Sequence, residues 1–179
     1  MVVNKGKLAP QILTSQEIVV WYDDIYASID WFFSKGNPHY TSYFVGYSDD
    51  EVSERRNAHL LELDTTSAFI TLATIEALLV VDYQVRVRKR RLKDPLSKYF
   101  RQHDHLFTGH ITLNDRILDA WQIHYPELKK DINILKSAMQ YRHWLAHGRH
   151  WFPKFPKHQY DFKSVYLMAV SIGNDFPLV

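Results

Sequence analysis

The sequence predicts an all-α fold, an up-and-down bundle of about five to six helices in which residues 1–179 form a single domain. Glycine and proline are scarce, at 6 and 7 of 179 residues, which favours long helices over a turn-rich β fold. Apolar residues recur at spacings of three and four, as on one face of a helix. The composition, 46% hydrophobic and 23% charged, is that of an ordinary globular protein long enough for one core.

The first half of the chain contains two predicted helical regions. Ser15 is a plausible N-cap for a helix that runs to Phe33 and ends at the Gly36-Asn37-Pro38 stretch, and a loop follows over residues 35–50. No proline or glycine then occurs from Val52 to about Lys89. This span is either one helix, on the order of 55 Å long, or two helices with the second capped near Asp64.

The sequence of the second half predicts four shorter helices. Asp94-Pro95 is a cap followed by proline at the first helical position, and that helix runs to about Gln102. A capping box at Thr112 and Asp115 begins the next helix, which Tyr125-Pro126 ends. The last two helices are predicted over residues 127–147, ended by Gly148, and over residues 161–172, with an extended loop at 153–156 between them.

Composition also narrows the possible chemistry and location. The chain has no cysteine, which excludes disulfides, thiolate zinc sites and cysteine nucleophiles. We find no signal-peptide pattern at the N-terminus and no run of about 20 apolar residues that would span a bilayer. We therefore expect a cytoplasmic protein with no membrane association. The formal net charge is only +2, so local charge clusters matter more than the total.

The densest cluster of chemically active side chains lies at residues 141–151, which hold two arginines and three histidines. Arginine is a permanent cation and histidine titrates near neutral pH, a combination suited to metal-free phosphodiester cleavage. Arg142 falls on the apolar seam of the predicted helix, where a cation needs a partner or a wet cleft. His143 and His147 lie one turn apart. A solvated helix end, where cations favour the helix dipole, explains the spacing equally well.

Arg142-His143-Trp144-Leu145-Ala146-His147 resembles the arginine, four residues, histidine motif of the HEPN superfamily. The upstream helix with Ala68-Phe69, Glu76-Ala77 and Asp82-Tyr83 also looks like the second helix of such domains. The resemblance implies a HEPN-like bundle that forms a homodimer, in which two motifs meet in one cleft as a metal-independent endoribonuclease. It does not extend to Arg149, because the HEPN toxins paired with a nucleotidyltransferase antitoxin often carry tyrosine at that position.

The resemblance also implies roles for the motif residues. His147 would be the general acid or base on the ribose 2′-hydroxyl and the leaving group, and Arg142 would hold the scissile phosphate. His143 would orient either partner, and the products would be a 2′,3′-cyclic phosphate and a 5′-hydroxyl. The partners expected on this basis are RNA, a second copy of the chain and an antitoxin protein, and no cofactor is required.

Several other residues are candidate contacts for RNA or for the motif. Glu76, on an apolar face, is either a partner that holds the Arg142 guanidinium or a residue paired with a structural cation. Arg149 and His150 are candidate RNA contacts. The basic run over residues 86–93, with Arg86, Arg88 and Arg90, is either a phosphate-contacting patch or a solvated helix end, and Asp82 is well spaced to pair with Arg86.

Aromatic and histidine side chains leave two further alternatives. Trp144, Trp151 and Phe152 either stack on bases or pack in the core or a dimer contact. His103-x-His105 and His143-x3-His147 are possible metal-ligand pairs, but there is no HExxH pattern, so we predict no metal site. The leading hypothesis is therefore a HEPN-type endoribonuclease acting as a toxin or phage-defence effector. A non-catalytic HEPN-like dimeric adaptor is the second hypothesis, and a histidine-metal protein is the third.

Overall fold

The computed structural model describes residues 13–103, 116–150 and 160–179, and these residues form seven α-helices and no strand. The helices are α1 (Ser15–Phe32), α2 (Tyr40–Tyr43), α3 (Asp49–Arg88), α4 (Pro95–His103), α5 (Leu118–His124), α6 (Lys129–Ala146) and α7 (Phe162–Asp175), with a short 3-10 turn, Pro126–Leu128, before α6. The predicted all-α class is confirmed. The seventh helix is α2, a single turn inside the segment predicted as a loop.

Local capping sets the ends of the helices. Thr14, and not the predicted Ser15, caps α1, because its side chain and that of Glu17 form a reciprocal capping box. Ser48 and Glu51 form the same box at the start of α3, three residues before the predicted beginning of the long helix. Asp161 caps α7 by accepting a hydrogen bond from the Ser164 amide. The predicted caps at Thr112 and Asp115, and the loop at 153–156, lie outside the described residues.

The long span is one helix, and α3 is the element against which most others pack. Side-chain contacts fix the directions of its neighbours. Arg56 pairs with Asp30, and Lys35 with Asp49, so α1 is antiparallel to α3. Glu76 and Glu62 of α3 meet Arg142 and Arg149 respectively, so α6 is antiparallel as well.

α7 runs parallel to α3. At its start the Phe162 amide donates to Asp64, and beyond its end the Val179 amide donates to Asp82. With α1 and α6 running the opposite way, the four long helices alternate in direction along the chain, as in an up-and-down bundle.

Two apolar clusters divide the described part of the chain. The larger one lies between α3 beyond Ala68 and helices α4 to α7, and includes the fully buried Trp121 and Phe100. The smaller one joins the end of α1 and α2 to the start of α3 through Phe33, Phe44 and Val52. The first third of α3 therefore packs mainly on α1 and the α1–α3 connection, whereas the rest lies in the main core.

Helix α3 contains an apolar stretch of the length of a membrane span, although no such run was expected from the sequence. By length and composition alone α3 could cross a membrane, with a mean hydropathy of 1.6 over an 18-residue window. The central helix of a water-soluble bundle passes the same test, and α3 is packed against α1, α4, α6 and α7. The location of the protein in the cell stays a prediction.

Candidate functional site at the end of helix α6

Helix α6 ends in a Schellman motif that fixes the backbone around the histidines. The Gly148 amide donates to the Leu145 carbonyl at 3.1 Å and the Arg149 amide donates to the Trp144 carbonyl at 3.2 Å. Gly148 has a φ of +76°, which glycine adopts without strain, but Arg149 follows it with a φ of +58°. The predicted end of the helix at Gly148 is therefore correct, and the next residue holds an unfavourable backbone conformation.

Arg142 points from α6 to α3, where Glu76 is its partner. Arg142 Nη2 lies 2.9 Å from Glu76 Oε2, and both side chains are about one-third exposed, at 30% and 32%. The guanidinium also lies over the Phe69 ring, 5.7 Å from its centroid, within the range of a cation–π contact. The cation on the apolar seam thus has both the partner and the solvent access that its position requires.

His143 and His147 form a second pair on the exposed side of the helix end. Their ring centroids are 4.2 Å apart, and both residues are exposed. His150 lies close by, with its Nδ1 2.7 Å from the His147 carbonyl oxygen. Because a carbonyl oxygen can only accept, His150 Nδ1 carries the proton. The three imidazoles therefore lie together at one end of α6.

The structure pairs Arg142 with Glu76 and His143 with His147. His147 lies five positions after Arg142, which places the two residues about 140° apart around the axis of α6. Within one copy of the chain the arginine is directed to α3 while the histidine pair faces solvent. Within the six-residue motif, the guanidinium and the imidazoles therefore point in two different directions.

Arg149 has a carboxylate partner in Glu62 of α3. Its Nη1 and Nη2 donate to the two oxygens of Glu62 at 2.9 and 2.8 Å, a bidentate ion pair between residues 87 positions apart. Arg149 lowers the pKa of the Glu62 carboxyl mainly through these hydrogen bonds. Glu62 is the residue that the sequence analysis missed, because nothing in the local sequence around it indicates a partner so distant along the chain.

The basic run over residues 86–93 does not form one exposed patch. Arg86 is 1% exposed, and it donates to Asp82, Asp94, Ser97 and the Pro177 carbonyl. Its assignment as an RNA contact was wrong, because its guanidinium is buried and is occupied by these acceptors. The expected pairing of Arg86 with Asp82 is confirmed.

Arg88 and Arg90 are exposed, but they lie at the other end of the bundle from the motif. Since α6 is antiparallel to α3, the C-terminal end of α6 faces residues 62–76 of α3. About 18 Å of helix separates Glu76 from Arg88. These two arginines are therefore a separate surface and do not extend the site around Arg142.

Metal ligands do not cluster in the part of the chain that the structure describes: no group of three or more histidine and carboxylate side chains there is placed to hold an ion. Of the histidines weighed as possible metal ligands, His105 lies outside the described residues, as do the candidate base-stacking residues Trp151 and Phe152.

In comparisons with known proteins, no family model, no curated protein and no solved structure matches this chain.

Proposed function

We propose that this chain is a metal-independent endoribonuclease of the HEPN type, complete only as a homodimer. The observation that carries the proposal is that Arg142, paired with Glu76, lies at the same end of α6 as the exposed His143–His147 pair. A permanent cation can hold a phosphate and its transition-state charge, and an imidazole can move the 2′-hydroxyl proton. Action as a toxin or phage-defence effector belongs to the same proposal.

The two directions of the motif support a composite site. A guanidinium and an imidazole that lie about 140° apart around a regular helix do not face the same phosphate. A two-fold dimer places the same surface of each copy opposite the other. In such a dimer the Arg142 of one copy can lie across the cleft from the His147 of its partner, and His143 orients the imidazole.

The first experiment incubates the purified protein with end-labelled RNA in EDTA. We expect cleavage that leaves 2′,3′-cyclic phosphate and 5′-hydroxyl ends, and a loss of roughly 100-fold or more in Arg142→Ala and in His147→Ala. Arg56→Ala is the matched control, because Arg56 is also about one-third exposed and paired with a carboxylate, Asp30. Full activity in either motif variant, with the dimer intact, would refute the assignment.

A second experiment tests the composite site itself. Arg142→Ala and His147→Ala protein are mixed under conditions that exchange subunits. If each site takes its arginine from one copy and its histidine from the other, the mixed dimer holds one intact site and activity returns. If each site lies within one chain, both subunits stay inactive and so does the mixture.

A non-catalytic HEPN-like adaptor is the second candidate, and one observation favours it. Both arginines at this end of α6 already have a carboxylate partner, Glu76 for Arg142 and Glu62 for Arg149. Paired cations attract phosphate less strongly than unpaired ones. RNA or protein binding without cleavage would support the adaptor, whereas cleavage that EDTA abolishes would support a metal protein.

A further inference from the structure

Helix α1 has two apolar faces, and in the part of the chain that the structure describes only one of them is packed against the bundle. Its inner face carries the buried Ile18 and, with Tyr22, Ile25 and Ile29, continues at steps of three and four. Tyr22 contacts Phe162 of α7 at a ring-centroid distance of 4.4 Å. This face has the period and the burial of an ordinary bundle helix.

The outer face of α1 exposes large apolar side chains. Val20 is 52% exposed, Trp21 41% and Trp31 56%. The helical period brings Val20, Asp24 and Trp31 to within about 40° of one another around the axis. Only the small, exposed Ala27 and Ser28 lie on this face between Asp24 and Trp31. We call the surface of Val20, Trp21, Asp24 and Trp31 the outer α1 face.

A shallow groove of about 300 Å³ lies at the first half of this face, lined by Gln16, Glu17, Val20, Trp21 and Asp24. It combines apolar walls with two carboxylates. Single exposed apolar residues are common on protein surfaces, but two tryptophans and a valine on one exposed helical face are typical of an interaction site.

The charge of α1 has one sign. The helix contains Glu17, Asp23, Asp24 and Asp30, and no lysine or arginine. Arg56 of α3 neutralises Asp30, whereas Glu17 and Asp24 line the groove. Any occupant that brings phosphate or carboxylate groups to this surface would meet like charges.

We propose that the outer α1 face docks a cationic amphipathic helix of a partner protein. The apolar side of that helix would cover Val20, Trp21 and Trp31, and its lysines or arginines would meet Glu17 and Asp24, as in helix-in-groove recognition. Val20 and Trp31 are about 16 Å apart along α1, which corresponds to three turns of a partner helix. This docking surface does not depend on the proposed ribonuclease activity.

The negative charge of the outer α1 face disfavours a second copy of the chain, nucleic acid and anionic lipid as occupants. A two-fold contact between copies places the same patch on both sides of the interface, so the outer α1 face would oppose its own carboxylates. Nucleic acid and anionic lipid surfaces carry negative charge and are repelled in the same way. A cationic helix is the partner for which both the apolar and the charged parts of the surface are complementary.

The test uses two designed helical peptides of 18 residues with the same leucine stripe, one with lysine and one with glutamate at all other positions. Isothermal titration calorimetry with the full chain should show binding of the lysine peptide only. Because the formal net charge of the protein is +2, overall electrostatic attraction does not favour that peptide. Trp31→Ala should weaken binding roughly tenfold or more, as expected for an interface tryptophan.

Two variants complete the design. Asp24→Lys should weaken binding of the lysine peptide and bring the glutamate peptide to measurable affinity. Leu167→Ala, which removes an apolar residue 57% exposed on α7, should change the affinity less than twofold. Equal binding of both peptides, or no effect of Trp31→Ala, would overturn the proposal. So would a dimer of the wild-type chain that Trp31→Ala converts to monomer in sedimentation velocity, because the occupant would then be a second copy.

Discussion

Replacing Arg86 with methionine tests the buried polar network that joins α3 to the C-terminal tail. The side chains of Arg86 and Asp82 are 1% and 2% exposed, with Arg86 Nε 2.7 Å from Asp82 Oδ2. The guanidinium also lies 5.2 Å from the centroid of the Trp121 ring. The unbranched side chain of methionine fills the space of the Arg86 aliphatic stem and has no charge, so the substitution removes the cation without emptying the whole site.

The expected loss of stability comes from the Asp82 carboxylate, which stays buried when Arg86 is removed. Asp82 keeps its hydrogen bond from the Val179 amide, at 2.9 Å, but it loses the cation that balances its charge. Removing one partner of a buried ion pair costs about 3–5 kcal/mol, because the other charge stays buried without compensation. For a chain of this size the melting temperature should fall by about 6–20 °C.

The assay is urea unfolding followed by circular dichroism at pH 7, with Arg88→Met as control. Arg88 lies on the same helix and is exposed, so its substitution should change the free energy of unfolding by less than about 0.5 kcal/mol. Adding Asp82→Asn to Arg86→Met should recover part of the loss, because the stranded charge is removed. If Arg86→Met were as stable as Arg88→Met, the network would not stabilise the fold and the reasoning would be refuted.

Substitutions at three further positions test local features of the fold. Arg149→Gly should be about 1 kcal/mol more stable than Arg149→Ala in urea unfolding, because both lose the ion pair but only glycine accepts a φ of +58° freely; equal stability would remove the evidence for backbone strain. Glu62→Gln should lower the free energy of unfolding at pH 7 by less than about 1 kcal/mol, since this pair is exposed. Arg149 lowers the pKa of Glu62, so the pair stabilises the fold above the ordinary glutamate pKa. That contribution is lost as pH falls through the lowered pKa, and a difference from wild type that did not shrink in acid would contradict this. Ser48→Ala should cost about 1 kcal/mol through loss of the α3 cap, measured by thermal unfolding, and an unchanged midpoint would show that the box does not contribute.

Local sequence signals predicted most of the helices. The proline at the start of α4 and the glycine after α6 act within a few residues, so their consequences can be seen in the sequence. Two capping boxes, at Thr14 and Ser48, were equally visible and were missed in favour of apolar periodicity. Asp82 and Arg86 are one helical turn apart, so their pairing could also be predicted from the local sequence.

Long-range contacts account for what the sequence did not predict. Arg86 begins a run of cations along the chain, which indicated a solvated patch, but its acceptors at Asp94, Ser97 and Pro177 come from the start of α4 and the C-terminal tail. Glu62 and Arg149 are joined across 87 positions. Such pairings depend on how the helices pack, and a single sequence carries no signal for them. The ribonuclease hypothesis depends on a contact between two copies, so it stays a prediction.

The uneven packing along α3 has a consequence for the exchange of backbone amide hydrogens. The first third of the helix shares its small apolar cluster with α1 and α2, whereas the rest is enclosed by the main core. Amides near Val52 should therefore become accessible to deuterium through a local opening that leaves the core intact. Amides near Leu79 should exchange only when the whole molecule unfolds. One unbroken helix would then belong to two cooperative units, with the boundary near the point where Asp64 accepts the hydrogen bond from α7.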